Sequence, residues 1–111
     1  MNIPSAKQSP RLVGGVLFFY YLDTFTLQIE LDMTDQDGVE IDATGTVEFV
    51  FYDDCHNKVK EFTLTPNNNI VTLDFTEDVT ALFHKGEYTY DVYYNGEKRT
   101  TIANDNKVVV E

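Results

Sequence analysis

The strongest constraint in this chain is an alternation of period two. Phe25, Leu27, Ile29, Leu31 and Met33 are apolar, and Thr24, Thr26, Gln28, Glu30 and Asp32 between them are polar. Extended backbone puts successive side chains on opposite faces, so this segment reads as a strand with one buried face. The same rhythm returns at Val47, Phe49 and Phe51, at Phe62 and Leu64, and at Val71, Leu73 and Phe75. It returns again at Tyr88, Tyr90, Val92 and Tyr94. Between these runs stand Asp35-Gln36-Asp37-Gly38, Asp53-Asp54-Cys55-His56-Asn57, Pro66-Asn67-Asn68-Asn69 and Asn95-Gly96, all residues suited to turns. Asn-Gly is the strongest short hairpin signal among them.

One stretch changes period. Thr76 is placed to cap a helix, Glu77 and Asp78 complement its positive end, and Val79, Leu82 and Phe83 fall at helical spacing. Gly86 is placed to end it. The pattern predicts a short helical crossover over about residues 77–84. Residues 97–102 then return from the Asn95-Gly96 turn, and Lys107-Val108-Val109-Val110 forms a last strand. Short strands with polar turns between them predict an all-β chain, an immunoglobulin-like antiparallel β-sandwich, rather than βαβ units. Lys85-Gly86-Glu87-Tyr88-Thr89-Tyr90 has the spacing of a tyrosine corner, with Tyr90 where such a domain would place its second cysteine.

At 111 residues, 42% of them hydrophobic, the chain supports one core. Residues 1–11 are polar with two prolines and read as a loose arm. The apolar run Leu12–Leu22 follows, with Gly14-Gly15 as a flexible or bulged point. The sandwich proper is expected over 22–111, with 1–21 as an arm and apolar strand ahead of it. That run has the look of a signal-peptide core behind Lys7 and Arg11. Its two tyrosines, the prolines before it and the lack of a small-x-small site at Asp23-Thr24-Phe25 count against that reading. No apolar run is long enough to span a bilayer.

The net charge of −11 argues against nucleic acid and anionic membrane as partners. The lone Cys55 excludes an internal disulfide and a multi-cysteine zinc site, which fits intracellular synthesis. Around Asp35 and Asp37 a calcium loop fails, because Met33 and Thr44 fall on the first and twelfth ligand positions; a plain turn with at most a weak calcium site is expected. Cys55 and His56 are adjacent and so point apart, and Asp53 and Asp54 make the wrong surroundings for a reactive thiol. Asp53, Asp54 and His56 offer only an opportunistic metal site. No catalytic residue, cofactor or dedicated metal site is predicted.

Tyr20, Tyr21, Tyr93 and Tyr94 would form an aromatic platform for a sugar or cell-surface ligand, or else fill the core and strand surfaces. The run of Leu12, Val13, Val16, Leu17, Phe18, Phe19, Tyr20 and Tyr21 is apolar on both faces of a strand. It is therefore either buried twice within the domain or covered by another subunit.

Gly45-x-Val47-x-Phe49, Phe75-Thr76-Glu77-Asp78-Val79-Thr80, Gly86-x-Tyr88-x-Tyr90-Asp91-Val92, Asn95-Gly96 and Lys107–Val110 together resemble the small immunoglobulin-like domains of phage virion proteins. The nearest are the N-terminal domains of upper baseplate proteins from phages of Gram-positive bacteria. Tyr21-Leu22-Asp23-Thr24-Phe25 sits where such domains begin, and the resemblance covers about residues 22–111. It implies a non-enzymatic tail, baseplate or other virion component, made in the bacterial host cytoplasm, that binds virion proteins or itself. Residues 1–21 are extra to the pattern, and no long C-terminal portion follows, which implies an adaptor, decoration or accessory component. A carbohydrate- or surface-binding module is the competing expectation.

Overall fold

Alternating apolar residues need a second layer to cover them, and the chain supplies it by folding two sheets face to face. The computed structural model describes residues 10–32, 34, 37–40 and 42–111. The strands are β1 (Arg11–Val13), β2 (Val16–Phe19), β3 (Phe25–Glu30), β4 (Thr46–Tyr52), β5 (Lys58–Leu64) and β6 (Ile70–Phe75). A helix, α1 (Glu77–Thr80), then leads to β7 (Gly86–Asn95) and β8 (Arg99–Val110). The large sheet has the order β1-β2-β8-β7-β4-β5, and the small one pairs β3 with β6. The protein is an all-β sandwich.

The core lies between the sheets. Phe19, Phe49, Phe51, Phe75 and Phe83 are fully buried there, with Leu17, Val47, Val71, Leu73 and Val108. Phe51 meets Phe75 and Phe83 edge-on at 5.8 and 5.5 Å, the edge-to-face geometry that aromatic quadrupoles favour. Tyr90 fills the inter-sheet space beside Phe51, ring centroids 5.5 Å apart.

Several expectations are corrected. The apolar run is not one strand. Gly14 and Gly15 sit at φ of 58° and 80° and form a two-residue turn between Val13 and Val16. Positive φ at both central positions is what the tight hairpin needs, and glycine adopts it without strain. The sheet is not purely antiparallel, because β2 runs parallel to β8, Leu17 against Val108 and Phe19 against Val110. Residue 22 does not mark an edge of the fold, since β2 is an interior strand of the large sheet.

The helix is one turn rather than eight residues. Thr76 makes no side-chain cap bond, and the Thr80 hydroxyl donates back to the Thr76 and Glu77 carbonyls. The next bonds, Leu82 to Val79 and Phe83 to Thr80, tighten the chain so that Phe83 enters the core. Gly86 therefore ends no helix; it opens β7 at φ of 147°. The two expected closing strands are one, β8, whose pairing with β7 shifts twice near Tyr90–Tyr93. The Asn95-Gly96 turn is a longer loop, with Asn95 paired to Arg99.

The tyrosine corner is present in geometry. The Tyr88 hydroxyl donates to the His84 carbonyl at 3.0 Å and accepts from the His84 N–H at 2.8 Å. Tyr88→Phe leaves both backbone groups without this partner and is expected to cost about 2 kcal/mol. That corresponds to a melting temperature lower by roughly 8–12 °C in a scanning calorimeter. Burial also holds the Tyr88 hydroxyl above its ordinary 10.0. As pH rises through 10 the unfolded chain ionises here first, so stability falls. The phenylalanine variant is expected to show a shallower alkaline loss of stability.

Candidate functional site

Three places hold the chemistry-bearing residues that stand out in the sequence. The first is the β4–β5 loop. Asp53 folds it, its carboxylate accepting from the backbone N–H of Asn57 at 2.8 Å and of Cys55 at 3.0 Å. The Asn57 bonds hold the Asp53 carboxyl below its ordinary range. The ligand atoms of Asp53, Asp54 and Cys55 lie within 4.8 Å of one another. His56 is not in that cluster: its ring stacks on Tyr52 at 4.3 Å, with φ of 63° turning it away. The expected set of Asp53, Asp54 and His56 is thus replaced by one in which Asp53 is already engaged by its own loop. The carboxylates of Asp54 and Asp53 push the exposed Cys55 thiol up, which suppresses the nucleophilic thiolate. A cavity of about 280 Å³ lies beside this loop, between Asp53, His56, Tyr88 and Lys107.

The second place is the set of tyrosines, and they do not assemble. Tyr20 and Tyr21 follow β2 at one end of β8, where the Tyr21 N–H donates to the Glu111 carbonyl. Tyr93 and Tyr94 pair with Thr101 and Thr100 at the other end. Nine residues of strand, roughly 30 Å, separate the pairs. The Tyr94 hydroxyl accepts from the N–H of Thr44 and Gly45, both at 3.0 Å, and the Gly45 bond holds its ionisation low. Tyr93 faces the other way. Its hydroxyl donates to Asp91, and the Arg99 guanidinium lies 4.1 Å over its ring. Tyr21 lies against His84, centroids 6.1 Å apart. Tyr21, Tyr93 and Tyr94 are each engaged by a structural neighbour.

The third place is the β1–β2 hairpin. Its eight expected interface residues divide. Leu17 and Phe19 point into the core at 2% and 0% exposure, so they are not available to a partner. Val16, Phe18 and Tyr20 are half-buried on the other face, where the Arg11 guanidinium covers the Phe18 ring at 4.4 Å. Arg11 also pairs with Glu111. Leu12 and Val13, at 57% and 58%, stand open on the terminal strand of the sheet, and Tyr21 is borderline at 36%.

The acidic turn at Asp35 and Asp37 lies partly outside the described residues, Met33, Asp35 and Gln36 being among those not described; Asp37 is exposed. No signal in the alternation identified Asp91. It is buried, one oxygen accepting from Tyr93 and the other from the Asp105 N–H at 2.8 Å. The positive φ of Asp105 presents that N–H at the irregular stretch of the β7–β8 ladder. Among the described residues no buried side-chain polar atom lacks a partner. No protein-family model matches the chain, and no curated protein matches it in sequence.

Proposed function

We propose that this chain is a non-enzymatic, immunoglobulin-like structural module of a phage or prophage particle, in the tail, baseplate or another virion part, working by protein–protein contact. The immunoglobulin-like reading is supported by the strand order, by the β2–β8 parallel closure, and by the Tyr88 corner next to the crossover between sheets. The phage assignment rests on the resemblance described above. The observation that carries a contact role is the β1 edge. Leu12 and Val13 present apolar side chains on a strand whose outer side bonds to no other strand among the described residues, a combination that monomeric sheets ordinarily blunt. A second copy or another virion protein covering β1 would bury both.

The test is to band particles from the phage or lysogen that encodes the chain. The chain is expected in the particle fraction at fixed ratio to the major structural proteins. Recovery only in the soluble fraction would overturn the assignment. Leu12→Ser combined with Val13→Ser is expected to leave thermal stability within about 1 kcal/mol, since both sites are exposed. The same double variant is expected to reduce recovery in particles at least about tenfold, through loss of buried apolar area. Unchanged incorporation would remove the β1 edge from the contact.

A further inference from the structure

The sandwich is open along one side. Among the described residues, β3 bonds only to β6, and β2 covers β8 only at Val108–Val110. The edges of β3 and of the first half of β8 are therefore both unpaired, and they flank a groove of about 290 Å³. Phe49, Tyr90 and Val92 form its floor, with Ile29 and Leu31 on one wall and Ile102 and Ala103 on the other. The phase of the β3 edge follows from the ladder. The Leu31 N–H donates to the Asn69 carbonyl, so in an antiparallel pair the alternate residues Thr26, Gln28 and Glu30 direct their N–H and C=O outward.

Charge at this edge is one-sided. No lysine or arginine occurs between Arg11 and Lys58, or between Lys60 and Lys85, so the charged residues of β3, of β6 and of the connections on either side of β3 are all acidic. Glu30, Asp32 and Glu40 line a second hollow that adjoins the groove at Glu30–Asp32. None of the three takes part in an ion pair among the described residues. The cations of the described chain lie instead on or beside the large sheet, at Arg11, Lys58, Lys60, Lys85, Lys98, Arg99 and Lys107.

We infer that this groove is a docking site for an extended, cationic segment of a partner protein, which adds as a strand to the β3 edge. Its backbone would pair with Thr26, Gln28 and Glu30. Alternate apolar side chains would enter the groove, and alternate lysines or arginines would meet Glu30, Asp32 and Glu40. The inference builds on the reading of the chain as a protein–protein contact module, and it identifies the chemistry of one partner surface.

The probe is a short synthetic peptide of strictly alternating lysine and valine, titrated into the whole chain and followed by amide NMR. Shifts are expected to concentrate at Ile29–Asp32 and Ile102–Asn106, with slowed hydrogen exchange at Thr26, Gln28 and Glu30. Glu30→Lys with Asp32→Lys is expected to weaken binding at least about tenfold by placing like charges together. Asp78→Lys with Glu87→Lys makes the same charge change at exposed sites away from the groove and is expected to alter affinity less than about twofold. A block peptide of equal composition should bind more weakly.

Equal binding of both peptides, equal effects of both double variants, or shifts spread over all acidic surfaces would overturn the proposal. So would concentration-dependent shifts at the groove in the chain alone, because the occupant would then be a second copy. Peptide binding by a chain absent from particles would leave this site standing and remove the virion assignment. The opposite pair of results would do the reverse.

Discussion

Gly45→Ala is expected to abolish folding, or to lower stability by at least about 3 kcal/mol as judged by urea unfolding. A Cβ on Gly45 would stand 1.9 Å from the Asn95 carbonyl oxygen and 2.7 Å from its carbon. Both atoms are backbone, so no rotamer change relieves the collision. Moving residue 45 away instead breaks the bonds by which Thr44 and Gly45 hold the Tyr94 hydroxyl. It also shifts the neighbouring Thr46–Asn95 pairing that begins the β4–β7 ladder. Gly14→Ala is the useful contrast. Its added Cβ meets nothing within 4 Å, and only its φ of 58° is unfavourable. That variant is expected to lose about 1–2 kcal/mol. A Gly45→Ala protein that unfolds at the same urea concentration as the parent would show that the approach of Gly45 to Asn95 is looser than described.

Phe19→Ala is expected to destabilise the isolated chain by about 3–5 kcal/mol. Phe19 is wholly buried, with ring centroids 5.1 Å from Phe25, 5.7 Å from Phe75 and 5.8 Å from Phe83. Truncation empties the centre of an aromatic cluster that neighbouring rings are too rigid to refill. Leu12→Ala, only a few residues earlier in the same apolar run, is expected to change stability by less than about 0.5 kcal/mol. Calorimetry of the two variants side by side separates core from surface within the run. A stable monomer with Phe19→Ala would mean that β2 is docked on the sandwich rather than built into it.

That contrast also shows where sequence reasoning reached and where it stopped. Val71, Leu73 and Phe75 were readable as inward-facing because polar residues alternate with them and fix the phase. Val16-Leu17-Phe18-Phe19 contains no polar residue, so nothing local says which two point inward. Only the pairing of Leu17 with Val108 and Phe19 with Val110, set by residues far away in the chain, decides it. The Tyr88 corner was legible because its partner is four residues upstream and needs no distant information.

Asp91 was not legible, since strict alternation puts it on the outer face. Its burial depends on the irregular β7–β8 pairing, for which Asn104-Asp105-Asn106 in the middle of a strand was the available sign. For the four tyrosines a shared platform and packing on core and strand surfaces both stayed open, because sequence gives no measure of distance between Tyr21 and Tyr93. The one-sided charge was fully visible, as the gap between Arg11 and Lys58. What the sequence could not supply was the groove beside it, which exists because β2 is too short to cover all of β8.

The parallel contact of β2 with β8 carries a consequence for biosynthesis. Positions 17–19 leave the ribosome early, but the strand that seats them ends at Val110. Until it arrives, Leu17 and Phe19 have no sheet to join, and the β3–β6 pair lacks part of the layer it packs on. The domain must therefore wait as an incomplete, sticky chain through most of its own translation, a cost inherent in closing a fold between its two extremities. Nineteen acidic residues against eight basic ones give that nascent chain a standing repulsion toward its neighbours on the same messenger.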